Sequence, residues 1–280
     1  MPSVFQRIIR RYVLPPVARA AGRSFLEAAH DQLGIGHASC GAGGEDAFLR
    51  HILTPLLRRR TSAVTVFDIG ANIGNYTMRL LEAVPGASIY SFEPAPEAYT
   101  TLQQRIQSAR VSCVPLGLSD EPGTAAIFDY CGGPSTGHAS IHKDVFSTIH
   151  RATAVQSTNI HLTTIDIFCA ERGLERVDFA KVDTEGNELA VLRGAKHLIA
   201  SGGFPLVQFE FNSMNVVSRS FLKDFYEILP GYRLYRLLPS KLLHLGDYNV
   251  RNEIFDFQNI VAAHPDAGVE AFRSHIVRAR

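Results

Sequence analysis

Short apolar runs alternate with helical patterns through the middle of the chain. Val64 and Phe67 belong to the first run, which predicts a buried strand, and Leu80 and Leu81 belong to the helical pattern that follows it. The same order recurs along the chain, and two strands come in succession at its end. It predicts an α/β fold with a doubly wound, Rossmann-like sheet over residues 61–265, closed by an antiparallel edge hairpin. The seven predicted strands are 64–67, 88–92, 111–116, 177–182, 205–211, 232–237 and 257–263.

The predicted sheet lies within a domain of residues 45–265. A helical pattern at 45–60 leads into its first strand. Residues 1–44 are predicted to be a basic helical and loop extension, and residues 266–280 a basic tail. The chain has 280 residues, 46% of them hydrophobic, which is enough for one large core.

Charge and cysteine spacing exclude several classes of protein. The net charge is +1 and no basic stripe interleaved with aromatic residues is present in the domain, so we expect no nucleic-acid partner. The four cysteines lack C-x-x-C spacing and no apolar run could span a bilayer, so we expect free thiols and a cytoplasmic protein. Residues 1–25 hold five arginines and no acid. An amphipathic helix there could contact a membrane surface peripherally, or pack on the domain.

A glycine-rich turn follows the first strand. Asp68, Gly70, Asn72 and Gly74 occupy alternate positions, and glycines let the backbone approach a ligand beside the open N–H groups of the next helix. A dinucleotide site needs G-x-G-x-x-G, whose third glycine is missing here, and a carboxylate at Asp68 would repel a pyrophosphate. The turn therefore favours S-adenosylmethionine, which carries cationic groups and no phosphate. The alternatives are an NAD-dependent oxidoreductase and an ordinary strand–helix turn that only needs glycines.

Polar residues also follow the next two strands. Glu93 lies 25 residues after Asp68 (93 − 68), at the tip of the second strand, where a carboxylate can accept hydrogen bonds from a ribose. Ser119 and Asp120 follow the third strand and would face the adenine. Without the glycine turn, Glu93 alone would be interpreted as a solvated acid at a strand end.

A third group of ionisable residues surrounds the fourth strand. Lys181 lies inside this strand, Asp183 ends it, Glu185 and Glu188 follow, and Glu210 ends the fifth strand. Ligands of open α/β sheets lie outside the carboxyl ends of the strands, so we expect these side chains to face one site. Because carboxylates repel one another, at least one should have a raised pKa or a cationic neighbour such as Lys181. A charged first helical turn would explain one or two acids, but not a lysine inside an apolar strand.

The stretch between the third and fourth strands is less regular. It is predicted to hold a strand at 125–130, a glycine-rich loop over the site at 132–138 and a short edge strand at 160–163. Three polar residues near this loop could bind the acceptor substrate, or could be surface residues without a role: His138, Ser140 and His142.

Together these motifs resemble the FkbM-type family of class I S-adenosylmethionine-dependent methyltransferases. The resemblance covers roughly residues 45–265 and rests on F-D-I-G-A-N-I-G, S-F-E-P-x-P, G-L-S-D and the K-x-D-x-E-G-x-E block that begins at Lys181. It departs from the family pattern at Asn187, where a small residue is common, and residues 1–44 lie outside the resemblance. The resemblance implies S-adenosylmethionine as methyl donor and a hydroxyl of a sugar, glycan or small molecule as acceptor.

Methyl transfer to a hydroxyl is mainly a positioning task, but the acceptor also loses a proton, so a general base helps. Asp183 and Glu210 rank first as the base and Glu185 next, with His138 and His142 as outsiders. A divalent metal could activate the hydroxyl instead, although no dedicated metal ligands are predicted. A catalytically silent, membrane-associated protein of the same fold is the remaining alternative.

Overall fold

A large mixed sheet with helices on both faces dominates the computed structural model, so the predicted α/β class is confirmed. The structure describes residues 44–131, 137–152 and 154–278, together with 13, 16–17, 29–30 and 32–36. The strands are β1 Thr65–Ile69, β2 Ser88–Phe92, β3 Val111–Val114, β4 Gly117–Leu118, β5 Gly123–Tyr130, β6 Val155–Thr163, β7 Phe179–Val182, β8 Leu206–Phe211, β9 Arg233–Leu237, β10 Leu242–His244, β11 Gln258–Ala263 and β12 Ile276–Arg278.

Short helices connect most of the strands. A π-helical turn, Leu49–Leu53, joins the first two helices into one helical stretch before β1. The α-helices are α1 Glu45–Phe48, α2 Thr54–Leu57, α3 Asn75–Ala83, α4 Pro96–Arg105, α5 Lys143–Thr148, α6 Ile165–Arg172, α7 Glu188–Arg193, α8 Lys196–Ala200, α9 Met214–Ser218 and α10 Leu222–Ile228. The 3₁₀ helices are Val250–Asn252, Pro265–Ala267 and Val269–His275.

The large sheet has nine strands in the described part of the chain, so the predicted number of seven is wrong. Their order is β12-β10-β9-β11-β8-β7-β1-β2-β3. Strands β3, β2, β1, β7 and β8 run parallel, and β11 is antiparallel to both β8 and β9. The seven predicted strands are all present, but β10 and β12 have three residues each, too few to show a hydrophobic period.

The basic tail predicted at 266–280 contributes to this sheet. Ile276 in β12 pairs in parallel with Leu242 in β10, so β9 and β11 are antiparallel neighbours but do not form the edge. Val269 is 2% exposed and packs into the core. The sequence pattern does not reveal this strand, because its only apolar residues are Ile276 and Val277, with polar residues on both sides.

A second, three-stranded sheet lies beside the large one, in the order β4-β6-β5. The short edge strand predicted at 160–163 is in fact the end of the nine-residue strand β6, whose residues 155–162 pair antiparallel with β5. Residues 156–159 are polar and exposed, so their alternation shows no buried face. This hides a strand from sequence analysis.

The order of the strands places a crevice beside β1. The chain leaves β1 towards β2 on one side, whereas β7 pairs with β1 on the other side. Ligands of doubly wound sheets bind at such a reversal, outside the carboxyl ends of the strands. The glycine-rich turn after β1 and the acidic segment after β7 therefore meet at one edge of the sheet.

Two hydrophobic clusters cover the two faces of the sheet. Phe67 packs with Phe168 of α6 in one cluster, and the adjacent Val66 packs with Phe48 and Leu80 in the other. Successive residues of a strand point to opposite faces, so both faces of β1 are buried, as in other parallel sheets.

Most of residues 1–25, where a basic amphipathic helix is predicted, lie outside the described residues. No helix in the part of the chain that the structure describes is both long enough and apolar enough to cross a bilayer.

Phe168 provides a test of the packing beneath the crevice. Its ring centroid lies 5.6 Å from that of Phe67, 5.4 Å from Tyr90 and 4.7 Å from Phe92. We expect Phe168→Ala to lower the free energy of unfolding by about 3–5 kcal/mol, because it leaves a cavity in this aromatic cluster. The matched control on the same helix is Ile167→Ala, since Ile167 is 38% exposed and should change stability little. Urea denaturation measures both, and equal losses would contradict the assignment of the core.

Candidate active site

A cleft opens at the carboxyl ends of β1, β2 and β7. It encloses about 760 Å³, including its open mouth. Part of its lining is polar and comes from the strand ends, and part is apolar and comes largely from the small sheet. The polar lining includes Gly70, Asn72, Glu93, Asp183 and Glu185. The apolar lining includes Leu118, Ile127, Ile141, Ile160 and Leu162.

The turn after β1 owes its glycines to packing within the protein. Gly70 has φ +83°, and a Cβ there would lie 1.7 Å from the carbonyl oxygen of Asp183. Gly74 has φ +86° and caps α3, and a Cβ there would meet Leu102 of α4 at 2.8 Å. Gly70 thus brings the ends of β1 and β7 together, whereas Gly74 lies outside the cleft lining.

Asp68 points into the protein and not into the cleft. It is buried, and its carboxylate accepts a hydrogen bond from the hydroxyl of Thr77, which also lies 2.9 Å from the hydroxyl of Ser91. Burial raises the pKa of Asp68 to about 6. The structure therefore does not bring this carboxylate to the cationic ligand that the sequence motif suggested.

Glu93 lies on the cleft wall, where the sequence predicted a ribose-binding acid. Its Oε2 accepts from the N–H of Asn72 at 2.9 Å, and its Oε1 accepts from the N–H of Ala95 at 2.8 Å. Burial raises the pKa of Glu93 to about 7, although these two hydrogen bonds act in the opposite direction and lower it. Glu93 thus fixes the turn after β1 and still borders the cleft.

Ser119 and Asp120 do not line the cleft. The N–H of Ser119 donates to the carbonyl of Thr163 in β6, and its hydroxyl lies 3.1 Å from Asp120 Oδ1. Leu118 takes their predicted place on the wall. Ser119 thus extends the pairing of β4 with β6, and the sequence pattern did not reveal this small sheet.

Lys181 is the centre of a buried ionic cluster beside the cleft. Its side chain is 3% exposed, and Nζ donates to Glu210 Oε1 at 3.1 Å and to Asp183 Oδ2 at 3.3 Å. Glu45 Oε1 lies 3.8 Å from the same nitrogen. The ring of Tyr76 covers another side, 5.9 Å from its centroid. The sequence motif indicated Asp183 and Glu210 as neighbours of Lys181, but nothing in it indicated Glu45.

Competition between burial and charge sets the protonation of this cluster. Burial opposes the charge of Lys181, but Asp183, Glu210 and Glu45 outweigh it and raise the pKa of Lys181 well above its ordinary value. Burial and the charge of Asp183 raise the pKa of Glu210, which Lys181 only partly offsets. Lys181 is thus a fixed cation, and Glu210 holds a proton more readily than an ordinary glutamate.

Asp183 alone joins this cluster to the cleft. Its side chain is 35% exposed and lines the cleft, whereas Lys181 and Glu210 lie behind it. Lys181 occupies Oδ2, and Oδ1 makes no hydrogen bond to a described residue. The oxygen Oδ1 is therefore available to a ligand.

Glu185 meets the segment predicted to bind the acceptor. Its Oε1 lies 3.6 Å from His138 Nδ1, and the hydroxyl of Ser140 donates to its carbonyl at 2.7 Å. Burial raises the pKa of Glu185 to about 7, and the contact with Glu185 raises the pKa of His138. His142 lies against Gly186, and burial lowers its pKa. None of the three acceptor candidates lines the cleft, but their neighbours Gly137, Ala139 and Ile141 do.

Glu188, the last acid of the motif, organises the loop after β7. Its Oε1 accepts from the N–H groups of Thr184 and Gly186, at 2.9 and 3.1 Å, and from the Thr184 hydroxyl. Asn187, where the motif departs from the family pattern, donates to the carbonyl of Leu118 at 3.1 Å and borders the cleft. These two residues hold Asp183 and Glu185 in place.

The strands beside the cleft are parallel, with a glycine turn where their order reverses and a carboxylate at the tip of the next strand. This arrangement is typical of folds that bind a nucleotide-type cofactor. A family model described as Methyltransferase FkbM domain matches residues 68–234, more than half of the chain. The protein belongs to the FkbM methyltransferase family.

Several curated relatives agree with this family. Methyltransferase 1 of Beauveria bassiana is 33% identical over 144 residues, covering 46% of this chain and 57% of that protein. The 2-O-methyltransferase NoeI of Sinorhizobium fredii is 23% identical over 195 residues, covering 67% and 79%. The hexuronic acid methyltransferase AglP of Haloferax volcanii is 26% identical over 159 residues, covering 56% and 60%. The matches to the first and third thus span less than two thirds of those relatives.

Similarity to solved structures is weaker. An O-methyltransferase from Bacillus cereus, in complex with S-adenosylhomocysteine, superposes with a TM-score of 0.39 at 13% identity, covering 92% of this chain and 96% of that chain. A likeness at this level carries no argument about function.

The contact between Gly70 and Asp183 can be tested by stability. We expect Gly70→Ala to lower the free energy of unfolding by about 2–5 kcal/mol, because its Cβ would overlap a backbone carbonyl in addition to the strain of a positive φ. Gly86→Ala is the matched control, since Gly86 has φ +97° with no atom near its missing Cβ, and should cost only about 1–2 kcal/mol. Urea denaturation gives both values, and equal losses would show that the close approach is unimportant.

Proposed function

We propose that this chain is an S-adenosylmethionine-dependent O-methyltransferase whose acceptor is a hydroxyl of a sugar or another small molecule. Membership of the FkbM methyltransferase family supports methyl transfer. NoeI is named a 2-O-methyltransferase and AglP a hexuronic acid methyltransferase, which supports oxygen as the methylated atom and a sugar as the acceptor class. The observation that carries the proposal is the position of Asp183, which joins a buried ionic cluster to the cleft wall.

The cleft has the chemistry that the methyl donor requires. Asn72 Oδ1 and Glu185 Oε2 are buried without a hydrogen-bond partner among the described residues, so two acceptors await donors from a ligand. Glu93 would accept from the ribose hydroxyls, and apolar residues such as Leu118 and Ile160 would cover the adenine. When bound, S-adenosylmethionine supplies an electrophilic methyl group.

We assign Asp183 as the general base. Its Oδ1 would accept the proton of the acceptor hydroxyl, while Lys181 holds Oδ2 and fixes the orientation of the carboxylate. Glu210 is the other candidate base that the sequence favoured, but it is buried against Lys181 and does not line the cleft. We therefore give Lys181 and Glu210 a positioning role.

Glu185 and residues 137–142, which contact it, are proposed to bind the acceptor. His138 contacts the Glu185 carboxylate, and Ser140 holds the Glu185 backbone, whose φ of +53° is strained for a non-glycine residue. His142 packs behind this loop against Gly186. Gly137, Ala139 and Ile141 of the same segment line the cleft, which supports an acceptor position beside it.

The described residues include no group of three His, Cys, Asp or Glu side chains placed to hold a metal ion. The experiment on Asp183 below therefore also tests for a metal. We propose a cytoplasmic location from Cys113, Cys131 and Cys169, which are free thiols of the kind that a reducing compartment maintains.

The donor assignment predicts the effect of removing the Glu93 carboxylate. Glu93→Ala should weaken S-adenosylhomocysteine binding by about 1–3 kcal/mol, through loss of charge-assisted hydrogen bonds to the ribose. Titration calorimetry measures this, with Glu97→Ala as control because Glu97 is an exposed acid four residues away. Unchanged affinity in Glu93→Ala would remove the ribose assignment. If the wild type binds NAD and not S-adenosylhomocysteine, the result would favour an oxidoreductase. If it binds neither, the result would favour a catalytically silent protein.

The base assignment predicts a large rate effect for Asp183→Asn. The amide keeps the size of the side chain but loses its basicity, so methyl transfer should fall by roughly 10²–10⁴-fold while S-adenosylhomocysteine affinity changes little. The assay is transfer of a tritiated methyl group to a cell-extract fraction that the wild type methylates. Asp144→Asn, an exposed carboxylate on α5, is the matched control and should retain the wild-type rate.

Two other outcomes for Asp183→Asn have distinct meanings. Inhibition of the wild type by EDTA, with partial rescue of the variant by a divalent ion, would replace the base with a metal. A near-normal rate with melting temperature lowered by the equivalent of about 1 kcal/mol would reduce Asp183 to a structural residue. Glu185 would then be the base, because its carboxylate also lines the cleft.

A further inference from the structure

Glu45 reaches the ionic cluster from outside the region that the family model matches. It is the first residue of α1, before the first strand, whereas the matched region begins at residue 68. Its side chain is buried although it is an acid near the start of the described domain. A buried carboxylate is costly unless it is paired, so this position needs an explanation.

Both oxygens of Glu45 have partners. Oε1 accepts from Gln208 Nε2 at 2.7 Å and lies 3.8 Å from Lys181 Nζ, and Oε2 lies 3.2 Å from Arg79 Nη1. Gln208 sits opposite Lys181 in the pairing of β7 with β8, and its Oε1 accepts from the Tyr76 hydroxyl at 3.0 Å. Glu45 thus spans the space between α3 and the middle of the sheet, directly behind the cleft wall.

Three carboxyl groups share the ammonium of Lys181. Glu210 and Asp183 contact it at 3.1 and 3.3 Å, and Glu45 is the third at 3.8 Å. With all three ionised, the cluster would carry two uncompensated negative charges, only one of which Arg79 approaches. Like charges at this separation in a buried site disfavour full ionisation of the three carboxyl groups.

We infer that Glu45 is a positioning residue of the methyl-transfer site, which competes with Asp183 and Glu210 for Lys181 and thereby favours the protonated form of Glu210. This inference rests on the proposed function for its role in catalysis. The protonation that it describes can be measured without any acceptor.

The sign of the effect follows from the groups around Glu210 and Lys181. Removal of the negative charge of Glu45 lowers the repulsion on Glu210 and frees Lys181 to interact with it more strongly, so Glu210 should lose its proton at lower pH. The charged and titratable groups that surround the pair are Asp68 of β1, Tyr76 and Arg79 of α3, Asp183 and Glu185 after β7, and Glu45 of α1.

The test is a pH titration of Glu210 by carbon-13 NMR, with glutamate labelled at its side-chain carboxyl. The signal of Glu210 is identified by its loss in Glu210→Gln. We expect Glu45→Gln, which keeps the size of the side chain and an oxygen acceptor for Gln208, to lower the titration midpoint of Glu210 by about one pH unit. An unchanged midpoint in a folded Glu45→Gln protein would overturn the inference.

Asp46→Asn is the matched control. Asp46 is the next residue of α1 and also pairs with Arg79, but its side chain is 53% exposed and screened by solvent. It should leave the midpoint of Glu210 where the wild type has it, and an equal shift in both variants would overturn the inference by showing a general charge effect.

A second variant covers the case in which Glu45→Gln does not fold. Glu45→Asp keeps the charge but withdraws it from Lys181 by one methylene, so it should lower the midpoint in the same direction by less, and no shift would again overturn the inference. Absence of methyl transfer in the wild type would bear on the proposed function alone, because the NMR titration depends on no activity.

Discussion

The buried ammonium of Lys181 is the constraint on which the cleft edge of this sheet depends. A cation with 3% of its side chain exposed is stable only if hydrogen-bonded partners surround it. Those partners come from α1, from the end of β7 and from β8, so one charge fixes three elements relative to one another. Removal of this ammonium should cost roughly 3–5 kcal/mol, because it leaves the buried carboxylates around it uncompensated.

The same lysine belongs to a polar layer that crosses the sheet beneath α3. Asp68 sits opposite Ser91 on one side and Lys181 on the other, and Lys181 sits opposite Gln208. Paired residues of parallel strands share a face, so this buried layer specifies the register of four adjacent strands. Thr77, which donates to Asp68, ties α3 to the layer. The glycine turn between β1 and α3 is thereby held from below as well as by Gly70.

The strand ends could be predicted from the sequence because each is an apolar run that stops at a charged residue. Asp183 was located in this way, and a lysine inside an apolar strand indicated a buried ionic cluster. The direction of Asp68 could not be predicted, since alternation gives a face but not whether a helix covers it. Glu45 left no signal, because its contact with Lys181 joins elements far apart in the chain. Strand β6 was largely missed because its exposed residues are polar.

The carboxyl groups of the cleft make ligand binding there a proton-exchange reaction. Burial raises the pKa of Glu93 and of Glu185 to about 7, so each is partly protonated at neutral pH when no ligand is present. A ligand that donates hydrogen bonds to either carboxylate favours the ionised form and expels its proton into solution. The heat of binding would then include the heat of buffer protonation, and apparent affinity would rise with pH through this range.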